Sequence, residues 1–130
     1  MNRLEAFFEA HALRPWQPGI VDCCLALADW AVECGYRDPA SHLRGSYDSE
    51  EGFRAIIEEA GSVTALVGSC AACIGLLTLR EPAGGAIGVI GSPTNIHRQF
   101  GAMYDGASWQ VRSFGGFSQM VARPLAIWSI

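Results

Sequence analysis

The chain contains no lysine, and all nine of its basic residues are arginine. A catalytic or Schiff-base lysine is therefore excluded. Charge of either sign is sparse, at 17% of residues, and the net charge is −4, so no broad nucleic-acid footprint is expected. Long apolar runs are also missing. The longest, around Cys70 to Leu79 and Cys23 to Val32, fall short of the ~20 residues needed to span a bilayer. The opening Met1-Asn2-Arg3-Leu4-Glu5 lacks the apolar core and small-residue cleavage site of a signal peptide, so synthesis and folding in the cytoplasm are expected. The five cysteines, Cys23, Cys24, Cys34, Cys70 and Cys73, are odd in number and do not suggest a disulfide framework. Gly84-Gly85 is not followed by the Lys-Ser/Thr of a phosphate loop, and no cofactor is expected.

What remains is half hydrophobic in composition, and its 130 residues suit one domain over residues 1–130 that buries a core without staples. Leu4, Phe7, Phe8 and Ala12 recur at helical spacing, which predicts a short amphipathic helix over 3–12. Arg14-Pro15-Trp16-Gln17-Pro18-Gly19 breaks it. From Cys23 to Cys34 only Asp29 and Glu33 interrupt an apolar or small run, which marks a core helix capped by Gly35. Asp38-Pro39 carries an N-cap and a first-turn proline for a further helix. Phe53, Ile56, Ile57 and Ala60 define another, with either Ser49–Gly52 or Asp48–Glu51 capping it and Gly61 ending it. Val63 to Val67 and Ala71 to Arg80 read equally as helix or strand. Beyond Ala86, strands are expected at Ala86–Ile90, Phe100–Tyr104, Trp109–Ser113 and Ala126–Trp128, with a hairpin turn at Asp105-Gly106 and a turn or hinge at Gly115-Gly116. Helices followed by strands predict an α+β fold with an antiparallel sheet.

The chemistry concentrates at Asp22-Cys23. Thiolate is the reactive form of cysteine, and the unpaired amides and dipole of a helix start favour it. Asp22 is placed to cap the same helix. A buried structural cysteine is the plain alternative.

The stretch from Trp16 through Asp22-Cys23-Cys24 to Ala26 resembles the nucleophile motif of NlpC-type, papain-like cysteine peptidases. The combination with Asp38-Pro39-Ala40, Leu43-Arg44-Gly45-Ser46-Tyr47-Asp48 and Trp128 resembles a small branch found among tail genes of phages, prophages and gene transfer agents. The resemblance implies a papain-like fold with N-terminal helices packed on a C-terminal antiparallel sheet. It implies Cys23 as nucleophile and Trp16, Asp22 and Tyr47 as binding residues. It also implies one of two functions within a virion or phage-like particle: a cell-wall peptidase, or a degenerate version that keeps the fold for assembly. The partners implied are other tail proteins and cell-wall peptide, without nucleic acid or a membrane span. Gln99-Phe100-Gly101-Ala102-Met103-Tyr104 matches the strand that begins with the catalytic histidine, but Gln99 stands in its place. Glutamine neither takes nor gives a proton, so the base falls to His97, two residues earlier, if the loop brings it in. Gln110 is a weak candidate for the third polar residue. His11 and His42 are expected at the surface.

Cys70-Ala71-Ala72-Cys73 has metal or redox spacing. With Cys23 and Cys24 it raises a further alternative, a metal-binding structural protein, against the plain reading of core cysteines.

Overall fold

A computed structural model describes residues 2–130. The chain is α+β: helices α1 (Arg3–Ala12), α2 (Cys23–Glu33), α3 (Glu50–Ala60) and α4 (Val63–Cys73) precede strands β1 (Ile87–Gly91), β2 (Gln99–Tyr104), β3 (Trp109–Ser113), β4 (Gly116–Gln119) and β5 (Pro124–Trp128). Each helix starts where a side-chain oxygen accepts from its free amides: Asn2, Asp22, Ser49 and Ser62. The α3 cap is thus Ser49, which accepts from Gly52 N, and not the Asp48–Glu51 box.

A further expectation changes: the segment after Asp38-Pro39 is a run of turns without a helix, with Asp38 capping Ala40 N at 3.0 Å. The turn expected at Gly115-Gly116 lies at Phe114-Gly115, and Gly116 already opens a strand. The ambiguous run from Val63 resolves as α4 up to Cys73, and residues 77–79 then lie along β5, where Leu79 N donates to Ile127 O and Ser129 N to Leu77 O.

The sheet is antiparallel throughout, in the order β4-β3-β2-β1-β5. One face carries Ile87, Val89, Met103 and Trp128 against Leu4, Leu27, Trp30, Ile57, Val63 and Val67 of the helices. The other carries Ala86, Ile90, Ala102, Trp109, Val111 and Ile127, all buried, with Cys23 the one helical residue in the cluster packed against them.

Sheet closure explains this second core. Residues 120–123 alone join β4 to β5, the two outermost strands. A flat sheet would set those strands about 19 Å apart, more once their lengthwise offset is added. Five Cα steps reach at most about 18 Å. The sheet is therefore curled into a trough. The Trp109 ring fills it, so close to Gly88 that a β-carbon there would come within 2.7 Å of the indole.

Candidate functional site

The loop before α2 is a tight reversal, with Gln17 and Val21 exchanging backbone hydrogen bonds. Gly19 permits it: its φ is +85°, and a β-carbon would overlap Tyr47 O at 1.9 Å. Asp22 then closes the turn and starts the helix. One carboxylate oxygen accepts from Cys24 N (3.1 Å) and Leu25 N (2.9 Å). The other accepts from Gly19 N (3.0 Å) and from the Tyr47 hydroxyl. Burial and the Asp22 charge push the Tyr47 hydroxyl far up, so it stays a neutral donor. Gly45 N donates to Gly19 O at 2.9 Å, which ties the Arg44-Gly45-Ser46-Tyr47-Asp48 stretch to the nucleophile loop. Asp22 and Tyr47 are thus the scaffold of the helix start.

Cys23 is the first residue of α2 and packs against the trough-side cluster of the sheet. Its backbone crosses β2 at Gly101, where a β-carbon would meet Cys23 O at 2.9 Å and Leu27 at 3.0 Å. A hydrogen bond from Cys24, helped by backbone amides, draws the Cys23 thiol down against burial and the Asp22 charge. The same hydrogen bond, together with burial, pushes Cys24 well up.

Cys23 opens onto a cleft of about 310 Å³. Trp16, Asp22, Tyr47, His97 and Gln99 line it too, so six of the site residues expected from the sequence border one space. The other titratable or charged groups bordering it are Glu50 and Arg54 of α3 and Arg112 of β3. Trp16 meets Phe114, from the β3–β4 turn, edge to face at 5.2 Å, and these two rings form the cleft's aromatic lip. Phe114 is 80% exposed.

His97 and Gln99 play different parts. Gln99 is buried and its amide is spent: Oε1 accepts from Thr64 N (3.1 Å) and Thr64 Oγ1 (3.0 Å), and Nε2 donates to Ser92 O (3.0 Å). It braces the start of α4 and the loop over residues 92–98. Gly91 lets that loop close: its φ is +131°, and a β-carbon would lie 2.2 Å from Arg98 O. Within the loop Asn95 Oδ1 accepts from His97 N at 3.1 Å and starts the 3-10 turn Ile96–Arg98. His97 Nε2 lies 3.0 Å from a carboxylate oxygen of Glu58 on α3, while Nδ1 is buried and has no hydrogen-bond partner. Among the described residues no hydrogen bond joins Cys23 to His97. Such bonds are commonly loose before substrate binds.

Sequence reasoning missed Glu58, which sits 39 residues from His97 on the exposed side of an amphipathic helix. Gln110 does not reach the cleft; it donates to Asp105 (3.0 Å) and Ser108 (3.3 Å) at the β2–β3 turn. His42 is exposed, but His11 is 4% exposed, contrary to expectation. It bridges Asp29 (2.8 Å) and Arg112 (2.9 Å), partners too distant in sequence for local pattern to show.

The four cysteines of the metal alternative do not converge. Cys23 borders the cleft, Cys24 and Cys70 line a small apolar cavity under α4, and Cys73 is exposed. Among the described residues no group of three or more His, Cys, Asp or Glu is placed to hold a metal ion. Nor is any single helix long and apolar enough to cross a membrane.

No curated protein and no solved structure matches the chain. A family model described as a domain of unknown function, DUF6950, matches residues 1–129. With all but its last residue inside that match, the chain belongs to the DUF6950 family.

Proposed function

We propose that this domain is an NlpC-type, papain-like cysteine hydrolase of a phage tail tip or related particle, with cell-wall peptide as substrate. In this reading the base has moved from position 99 to His97. The observation that carries the proposal is the shared cleft: Cys23 at a helix start and His97, its Nδ1 unpartnered, border the same space. The curled sheet with α2 laid across β2 at Gly101 supports the papain-like reading of the fold.

The chemistry is acyl transfer. Cys23 Sγ attacks the peptide carbonyl carbon as its proton passes to His97 Nδ1. The C–N bond breaks, and the leaving amine takes that proton. Water then adds to the thioester, giving its proton to His97, and the acid leaves as the thiol is restored. The Cys23 amide, the one first-turn amide of α2 that Asp22 does not engage, supplies partial positive charge for the oxyanion.

A second reading has its own observation. Gln99 stands where the resemblance puts the base, and its amide serves the scaffold. A domain kept for particle assembly, with a cleft that binds without cutting, fits that.

Alkylation of Cys23 by iodoacetamide, followed by mass spectrometry across pH, separates the two. The hydrolase reading expects Cys23 to react fastest of the five cysteines, with a rate below neutral pH that falls by about tenfold or more in His97→Ala. An ordinary thiol profile, unchanged by His97→Ala, leaves the assembly reading.

A further inference from the structure

We infer that Glu58 is the positioning residue of this site, the group that decides which nitrogen of His97 faces Cys23; the inference rests on the reading of Cys23 and His97 as nucleophile and base.

The argument starts from what an imidazole can do. A neutral ring has one N–H and one lone-pair nitrogen, and a carboxylate only accepts. At 3.0 Å from Glu58, Nε2 carries the hydrogen, so Nδ1 carries the lone pair. Nδ1 is the buried nitrogen with no partner. A buried acceptor left unpaired is costly in an ordinary packing role. It is explained if a proton donor is meant to arrive there; Cys23 borders the same cleft as His97, and its thiol is the donor that this reading brings to Nδ1. When the thiol proton moves to Nδ1, the ring becomes an imidazolium whose Nε2–H stays on Glu58. The carboxylate therefore meets the ring's new charge as well as fixing its orientation.

Two further contacts give this arrangement its rigidity. Asn95 holds the His97 backbone, and Gln99 Nε2 holds Ser92 at the other end of the same loop. The loop is braced from the sheet, and the ring is braced from α3. No sheet residue supplies the carboxylate. Glu58 comes from α3, which lies before the sheet in the chain.

Iodoacetamide alkylation of the full chain tests this with wild type, Glu58→Gln, Glu58→Asp and His97→Ala, each checked by thermal melting. Glutamine keeps an acceptor oxygen and removes the charge. Glu58→Gln is expected to slow Cys23 below neutral pH by about threefold to fivefold, the reach of an exposed ion pair. It should move the acid-side limb of the rate to higher pH and leave melting unchanged, because Glu58 is 61% exposed. Glu58→Asp should recover most of the rate. If Glu58→Gln matches wild type while His97→Ala is slow, Glu58 has no positioning role and the base stands. If Glu58→Gln slows the reaction only in step with a lowered melting temperature, and Glu58→Asp does not rescue it, the role is structural and the inference fails. If His97→Ala itself matches wild type, the underlying reading fails first.

Discussion

The domain holds two imidazole–carboxylate pairs, and their difference separates architecture from chemistry. His11 lies 2.8 Å from Asp29 and His97 lies 3.0 Å from Glu58. Both rings carry their hydrogen on Nε2, because a carboxylate accepts there. At His11 the other nitrogen is filled: Arg112 Nε donates to Nδ1 at 2.9 Å. The Arg112 guanidinium also holds the carbonyls of His11, Arg14 and Ser113, which locks α1 and the following loop to β3. Asp29 goes on to Arg44 at 2.8 Å, and Arg44 to Asp38 at 2.7 Å. Every donor in that chain has an acceptor, so nothing is left to react. At His97 the chain stops at an unpartnered nitrogen beside a cleft. A closed network holds a fold together; an open end gives a site something to do.

The contrast breaks most visibly by truncating the closed side. His11→Ala takes one partner each from the buried Arg112 and the half-buried Asp29, and is expected to destabilise the domain by about 3 kcal/mol in urea unfolding. Acid should undo part of the same network. Burial alone would raise Asp29, but its hydrogen bond to His11 and the charge and hydrogen bond of Arg44 outweigh this and hold the carboxyl below its ordinary range. Its contribution is thus complete above about pH 4, where the unfolded carboxyl ionises, and fades as pH drops through the lower folded value. The stability gap between wild type and Asp29→Asn, followed by unfolding across pH, should narrow in that acid window and stay constant above it. The smallest effect belongs to the open side: His97→Ala should change stability by no more than about 0.5 kcal/mol, since its carboxylate partner is exposed. A loss there as large as that of His11→Ala would make the two histidines alike and remove the contrast.

Much of the fold could be read from local pattern. Helix α1 follows from Leu4, Phe7 and Phe8 at 3.6-residue spacing, and α2 from an apolar run entered through Asp22 and left at Gly35. Strand β3 follows from the Trp-Gln-Val-Arg-Ser alternation, although its most buried member is charged: Arg112 is 2% exposed. Other elements gave no such signal. In α4 Val63, Thr64 and Val67 favour strand geometry while Ser62 caps a helix, and packing against the sheet decided. Gly116-Phe117-Ser118-Gln119 is too short and glycine-led to show a period of two, and it is a strand because it pairs with β3.

The site divides the same way. Asp22 and Cys23 could be found because a cap and a helix start are local. Tyr47 was legible only through the resemblance, and the hydrogen bond to Asp22 gives the physical reason for its presence. Glu58 and Arg112 could not be found, because their partners lie 39 and 101 residues away.

The short link over residues 120–123 has a consequence for what the domain can admit. Met120 is its first residue and also part of the cleft wall. The link acts as a belt: its length limits how far apart the outer strands can lie, and so how tightly the sheet closes on the Trp109 ring. Residues spliced in after Ala122 would let out the belt, relax the trough around Trp109 and free Met120 to shift on the cleft wall, with Cys23, His97 and Glu58 all left in the sequence. Such a change would alter the site through slack in the backbone alone.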